Sequence, residues 1–154
     1  MVDAGRTREE DGFTIIELLI VVAIIGIIVA LATPNLIGAI QRSRQSRTMA
    51  DMRMISQGIE AYQNDHSAYP ILSNGTVDAL SNDLEVYIRK YNKLDGWGES
   101  FFYDSGGNHY TMVSLAFGST ETLPRTLGPT TTFDADIMFS DGRFIQWPEG
   151  PQTN

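Results

Sequence analysis

At 154 residues, with no cysteine and a formal net charge of −8, the chain has room for one small domain and a tail, and a disulfide framework is excluded. The charge is unevenly placed: residues 41–53 carry four arginines against one aspartate, a sum of +3, whereas residues 60–154 carry five basic and thirteen acidic residues, a sum of −8. An acidic body repels phosphate, which argues against nucleic acid as a partner.

In chain order, residues 1–12 are polar, with Arg6 and Arg8 against Asp3, Glu9, Glu10 and Asp11. The run from Gly12 to Pro34, GFTIIELLIVVAIIGIIVALATP, is apolar or small almost throughout. About 20 such residues cross the hydrocarbon core of a bilayer as a helix, and a run apolar on every side does not suit a surface helix of a small soluble domain. Glu17 is its one charge. A carboxylate in such a helix costs about 2.5–3.5 kcal/mol near the centre and less towards an end, and is usually retained because it meets a partner. Arginines flank the run on both sides, so the positive-inside count leaves orientation undecided. A charged start, an apolar stretch and Ala30-Leu31-Ala32 also satisfy the pattern of a secretory signal peptide cut before Thr33, which would release a soluble binding domain. Glu17 and the length of the run weigh against that reading.

Gly12-Phe13-Thr14-Ile15-Ile16-Glu17-Leu18-Leu19-Ile20-Val21-Val22 resembles the N-terminal signature of class III prepilins, the precursors of type IV pilins and of the pseudopilins of type II secretion. The resemblance is specific over residues 12–34 and is nearest to the major pseudopilins. It implies a leader (1–12) removed between Gly12 and Phe13 by a peptidase that also methylates the Phe13 amine, and a transmembrane and filament-core helix (13–34). An amphipathic continuation (35–64) and a globular β-sheet head (65–154) would follow. It further implies a single-pass protein of the bacterial inner membrane, head in the periplasm, that assembles into a helical homo-oligomer with minor pilins or pseudopilins and an assembly platform. The filament would be a periplasmic pseudopilus or, alternatively, a surface type IV pilus serving adhesion or motility. Under this resemblance Glu17 meets the amine of a neighbouring Phe13 during assembly. Gly26 and Pro34 match the bounds of a segment that unwinds in family filaments.

Physical chemistry marks the same two positions as weak. Pro34 lacks an N–H and crowds the Ala30 carbonyl, and Gly26 is costly inside a helix, so a bend is expected at Pro34. Beyond it, Met52, Ile55, Ile59 and Tyr62 recur at spacings of three and four, an apolar stripe that packs under a sheet. Residues 41–48 are polar all round, which predicts a neck standing clear of bilayer and head. Tyr69-Pro70 closes the helix, at about Asn64.

In the head, Ser81-Asn82-Asp83-Leu84-Glu85 predicts a capped helix through Tyr91. Asp95-Gly96-Trp97-Gly98 reads as a turn. Residues 100–104 and 109–116, joined by Ser105-Gly106-Gly107-Asn108, read as a hairpin, as do 137–139 and 143–147 around Ser140-Asp141-Gly142. Residues 117–132 read as a loop. The fold class is α+β, a long helix covering a three- or four-stranded antiparallel sheet.

Asp95-Gly96-Trp97-Gly98 and Asp134-Ala135-Asp136-Ile137 are similar to segments of major pseudopilins, whose final loop binds calcium. Calcium accepts hard carboxylate and carbonyl oxygens, which makes Asp134 and Asp136 a candidate structural metal site. The plainer reading is that the pair is solvated or caps a turn. Arg42, Arg44, Arg47 and Arg53 suit lipid phosphates, the acidic heads of neighbouring subunits, or simply solvent. No cofactor is called for and no catalysis is expected: His66 and His109, the only histidines, have no metal-ligand spacing, and no nucleophile elbow or phosphate loop is present.

Overall fold

The computed structural model describes residues 12–118 and 127–153. Two compact units divide the chain, residues 1–37 and 38–154. The leader proposed for residues 1–12 lies, apart from Gly12, outside the described residues.

Helix α1 runs from Ile15 to His66 without a break in its assignment, through both Gly26 and Pro34. In the first unit it is bare. Large apolar side chains from Phe13 to Leu31 are 46–82% exposed, and this is the stretch long and apolar enough to cross a membrane. Beside Pro34, the Thr33 hydroxyl donates to the Val29 carbonyl at 2.7 Å. This is ordinary threonine back-bonding one residue before the Ala30 carbonyl that Pro34 leaves without its N–H.

In the second unit the same helix buries one face: Gln41, Gln45, Thr48, Met52, Ile55 and Ile59 are all buried. Their spacings of four and three make one continuous stripe, whose lower half is apolar and whose upper half is polar. The polar neck expected to stand clear of the head is therefore packed against it. The pattern misled because burial there rests on hydrogen bonding, not on apolar area. Ser67, at a φ of 58°, turns the chain out of the helix, and the Tyr69 N–H then bonds the Gly107 carbonyl at 2.9 Å.

The head is a six-stranded sheet: β1 (Leu72–Thr76), β2 (Phe102–Ser105), β3 (Tyr110–Ser114), β4 (Gly128–Thr132), β5 (Ile137–Ser140) and β6 (Arg143–Thr153), in the order β1-β2-β3-β5-β6-β4. All neighbours are antiparallel except β4 and β6, which run parallel. The α+β class stands, with more strands than expected and a mixed sheet. Strand β1, LSNGT, and strand β4, GPTTT, have the composition of turns and are recruited by their neighbours. Both expected hairpins are present. The second turns on Asp141 (φ 46°) and Gly142 (φ 81°), the left-handed pair that two-residue hairpin loops require.

Cross-strand register sets Tyr103, Met112, Phe139 and Phe144 in one row. The first three form a fully enclosed cluster with Met52, Ile55 and Ile59 of α1, each of which gains about 1.5–3 kcal/mol from burial. The expected helix from Ser81 to Tyr91 is shorter: a 3-10 turn (Val77–Leu80) leads into α2 (Ser81–Leu84). The Ser81 hydroxyl donates back to the Asp78 carbonyl and caps nothing. Leu84 is fully buried and Val86 is 86% exposed, and although the α-helix ends at Leu84, Ile88 still packs on Gly58 of α1, where a Cβ would lie 2.2 Å from its Cδ1. An ion pair between Lys93 and Asp78 ties the following loop back.

Candidate functional site

Gly12 and Phe13 precede the helix and are exposed, Phe13 by 82%. Nothing lies within 4 Å of where a Gly12 Cβ would be. Thr14 and Glu17 then close a reciprocal cap: the Thr14 N–H and hydroxyl donate to Glu17 Oε2 at 2.9 and 2.7 Å, and the Glu17 N–H donates to Thr14 Oγ1 at 3.3 Å. This Thr-x-x-Glu arrangement is a capping box. It satisfies the one carboxylate of an otherwise apolar surface from within the same chain. Sequence reasoning weighed Glu17 against amines and overlooked Thr14, although the spacing is legible. Gly26 and Pro34 both lie inside the continuous helix.

A second set of residues seats the head on the neck of α1. The Asp95 carboxylate, 4% exposed, accepts the N–H groups of Trp97 and Glu99 at Oδ1 (2.9 and 3.0 Å) and the Ser114 hydroxyl at Oδ2 (2.6 Å). Three donors satisfy the buried carboxylate and rigidify its loop. The turn so formed presents the Gly96 N–H to Thr48 Oγ1 at 2.8 Å and the Trp97 indole N–H to Gln41 Oε1 at 2.7 Å. Gly96 is required by contact, since a Cβ there would lie 2.5 Å from the Arg44 carbonyl oxygen. Gln45 Nε2 completes the seat by donating to Gln152 Oε1 at 3.3 Å. The turn was readable in the sequence; its target was not.

Asp134 is exposed and Asp136 is wholly buried, its carbonyl accepting from Gln146 Nε2 at 2.7 Å. Among the described residues no group of three His, Cys, Asp or Glu side chains could hold a metal. His66 stacks on Tyr62 with centroids 4.0 Å apart, and His109 pairs with Asp141 at 3.0 Å, both at the surface. The Tyr103 hydroxyl donates to the Pro70 carbonyl at 3.0 Å, and burial pushes its ionisation up to about 12. Burial also raises that of Tyr110, so both phenols remain donors at neutral pH.

Comparison with known proteins follows the same division of the chain. Residues 7–33 match the prokaryotic N-terminal methylation motif, and residues 35–123 match the family described as type II secretion system (T2SS), protein G. The chain is similar to the type II secretion system core protein G of Aeromonas hydrophila, 30% identical over 134 residues that cover 86% of this chain and 93% of that protein. It is 28% identical to the Pseudomonas aeruginosa protein of the same name over 147 residues, 90% and 89% of the two chains. The Vibrio cholerae protein is 26% identical over 122 residues, 74% and 84%. No solved structure gives a significant match.

Proposed function

From the premise that the chain belongs to the type II secretion system protein G family, the major pseudopilins, we propose that its bare apolar helix is held first by the inner membrane and then by copies of itself. The protein is a structural subunit and not an enzyme. The family match over the head favours the pseudopilus over a surface pilus, and the methylation motif favours cleavage after Gly12 over release after Ala32.

In this reading the leader is cut between Gly12 and Phe13, the Phe13 amine is methylated, and the head faces the periplasm as part of a single-pass protein. Glu17 carries the reading: a lone carboxylate on a surface that no part of the described chain covers. In the membrane Thr14 satisfies it; on assembly the amine of a neighbouring Phe13 offers a charged partner, a stronger hydrogen bond than a hydroxyl provides. Glu17→Ala is expected to insert and to be processed normally yet to form no filaments. Filaments of normal length in that variant overturn the assembly role. N-terminal sequencing should return methylated Phe13, and a Thr33 terminus overturns the whole scheme. Gly26 and Pro34 act as the bounds where the helix yields in the filament, which predicts that Pro34→Ala stiffens assembled fibres under extension.

A structural calcium ion is the lesser part of the proposal. Asp134 and Asp136 supply two hard oxygens beside the turn into β5, and backbone carbonyls would complete the shell. Millimolar calcium should then raise the thermal midpoint of the chain but not that of Asp134→Ala; equal midpoints with and without calcium remove the ion.

A further inference from the structure

The helix of the second unit begins with a cluster of arginines, two of which meet no acid among the described residues. The apolar run ends at Ile40, 44% exposed, and Arg42, Arg44 and Arg47 follow it, all at the surface. No acidic residue occurs between Glu17 and Asp51. Arg47 reaches Asp51 at 3.7 Å, and Arg53 lies over the Phe144 ring at 5.0 Å. Among the described residues Arg42 and Arg44 enter no ion pair. The Arg42 guanidinium folds back along the helix, such that a Cβ on Gly38 would lie 3.3 Å from its Nη1. Its charged end is thus placed one turn towards the apolar run, away from the head.

The angular spread of these arginines selects the partner. At 3.6 residues per turn, Arg44 and Arg47 stand within about 60° of each other, and Arg42 stands roughly opposite them. A protein docking on one side would meet one group or the other. A bilayer surface encircles the helix and meets both. We propose that Arg42 and Arg44, supported by Arg47, form a collar that binds the head-group phosphates of anionic phospholipid at the membrane face where the apolar run ends. The planar guanidinium fork matches phosphate oxygens in pairs. The proposal rests on the membrane-stored state described above and adds a lipid preference to it. It also accounts for a cluster of positive charge on the side of the membrane where such charge hinders translocation.

The test uses the full chain reconstituted in phosphatidylcholine bilayers containing traces of spin-labelled phosphatidylglycerol or spin-labelled phosphatidylcholine. The native chain should restrict the anionic label preferentially. The preference should fall about fivefold for each of R42Q and R44Q, fall less in the R42K/R44K variant, which keeps the charge and loses the fork, and collapse in about 0.5 M salt. Equal restriction of the two labels by the native chain overturns the collar. So does an unchanged preference in R42Q/R44Q whose filaments dissolve in salt that native filaments survive, which assigns these arginines to a neighbouring subunit. A chain that fails to enter the bilayer at all overturns the membrane-stored state itself, a result read separately from label preference by flotation.

Discussion

Helix α1 carries two stretches that invert the usual relation between polarity and burial. Residues 13–37 are almost wholly apolar and lie bare, whereas Gln41, Gln45 and Thr48 are polar and buried. The helical backbone is common to both, so the contrast lies in what each surface is built to meet. The apolar surface waits for lipid or for another copy. The polar face has its partner in the same chain, supplied as donors and acceptors by the Asp95 turn. Hydropathy therefore reports which solvent a helix suits, while the hydrogen-bond complement reports whether it is already occupied.

Substitutions that cross this contrast should rank by how completely they remove a partner. Glu17→Ala has the largest effect and the narrowest: loss of filaments seen by electron microscopy, with head stability unchanged in thermal unfolding. Asp95→Ala strands three donors, two of them backbone, and should cost the head about 3 kcal/mol, with Gly96 and Trp97 amides losing protection in hydrogen exchange. Gly96→Ala forces the turn off the Arg44 carbonyl and should cost about 2 kcal/mol. If it is neutral, the neck is not seated as described. Trp97→Phe keeps the ring and loses the bond to Gln41, about 1 kcal/mol, and should be non-additive with Gln41→Ala.

A last effect lies in the alkaline range and serves as a control on the core. Tyr103 has its ionisation raised from 10.0 to about 12 by burial. Its folded value lies above its unfolded value, so its contribution is full below pH 10 and is lost as pH rises from 10 towards 12. The thermal midpoint should fall across that window, and Tyr103→Phe should flatten the fall.

The N-terminal methylation motif was legible because it is linear: a glycine, a phenylalanine, one carboxylate and a membrane's thickness of apolar residues. Both hairpins were legible for the same reason, since Gly106-Gly107 and Asp141-Gly142 sit between alternating strands. The seat was not. Gln41 and Thr48 look like solvent-facing residues until Trp97 and Gly96 are placed across from them, and those contacts span 56 and 48 residues. Strands β1 and β4 escaped because Asn74, Gly75 and Pro129 argue against strands locally, and only the neighbouring ladders draw them in. The helix expected to reach Tyr91 ends at Leu84, where the Tyr87 and Ile88 N–H groups both turn to the Leu84 carbonyl, a local geometry that the capping pattern does not report.

The order of the sheet has a consequence for how the head is made. Strand β4 precedes β5 and β6 in the chain, yet its sheet partner is β6, so a β4 that has just been synthesised has no ladder to join. Phe133, just beyond β4, likewise bonds the carbonyl of Thr153. Synthesis from the amino end thus leaves the head with an unpaired strand until residues 143–153 arrive. Those late residues slot between β5 and β4, as a keystone does, so the sheet closes only with the last strand of the chain.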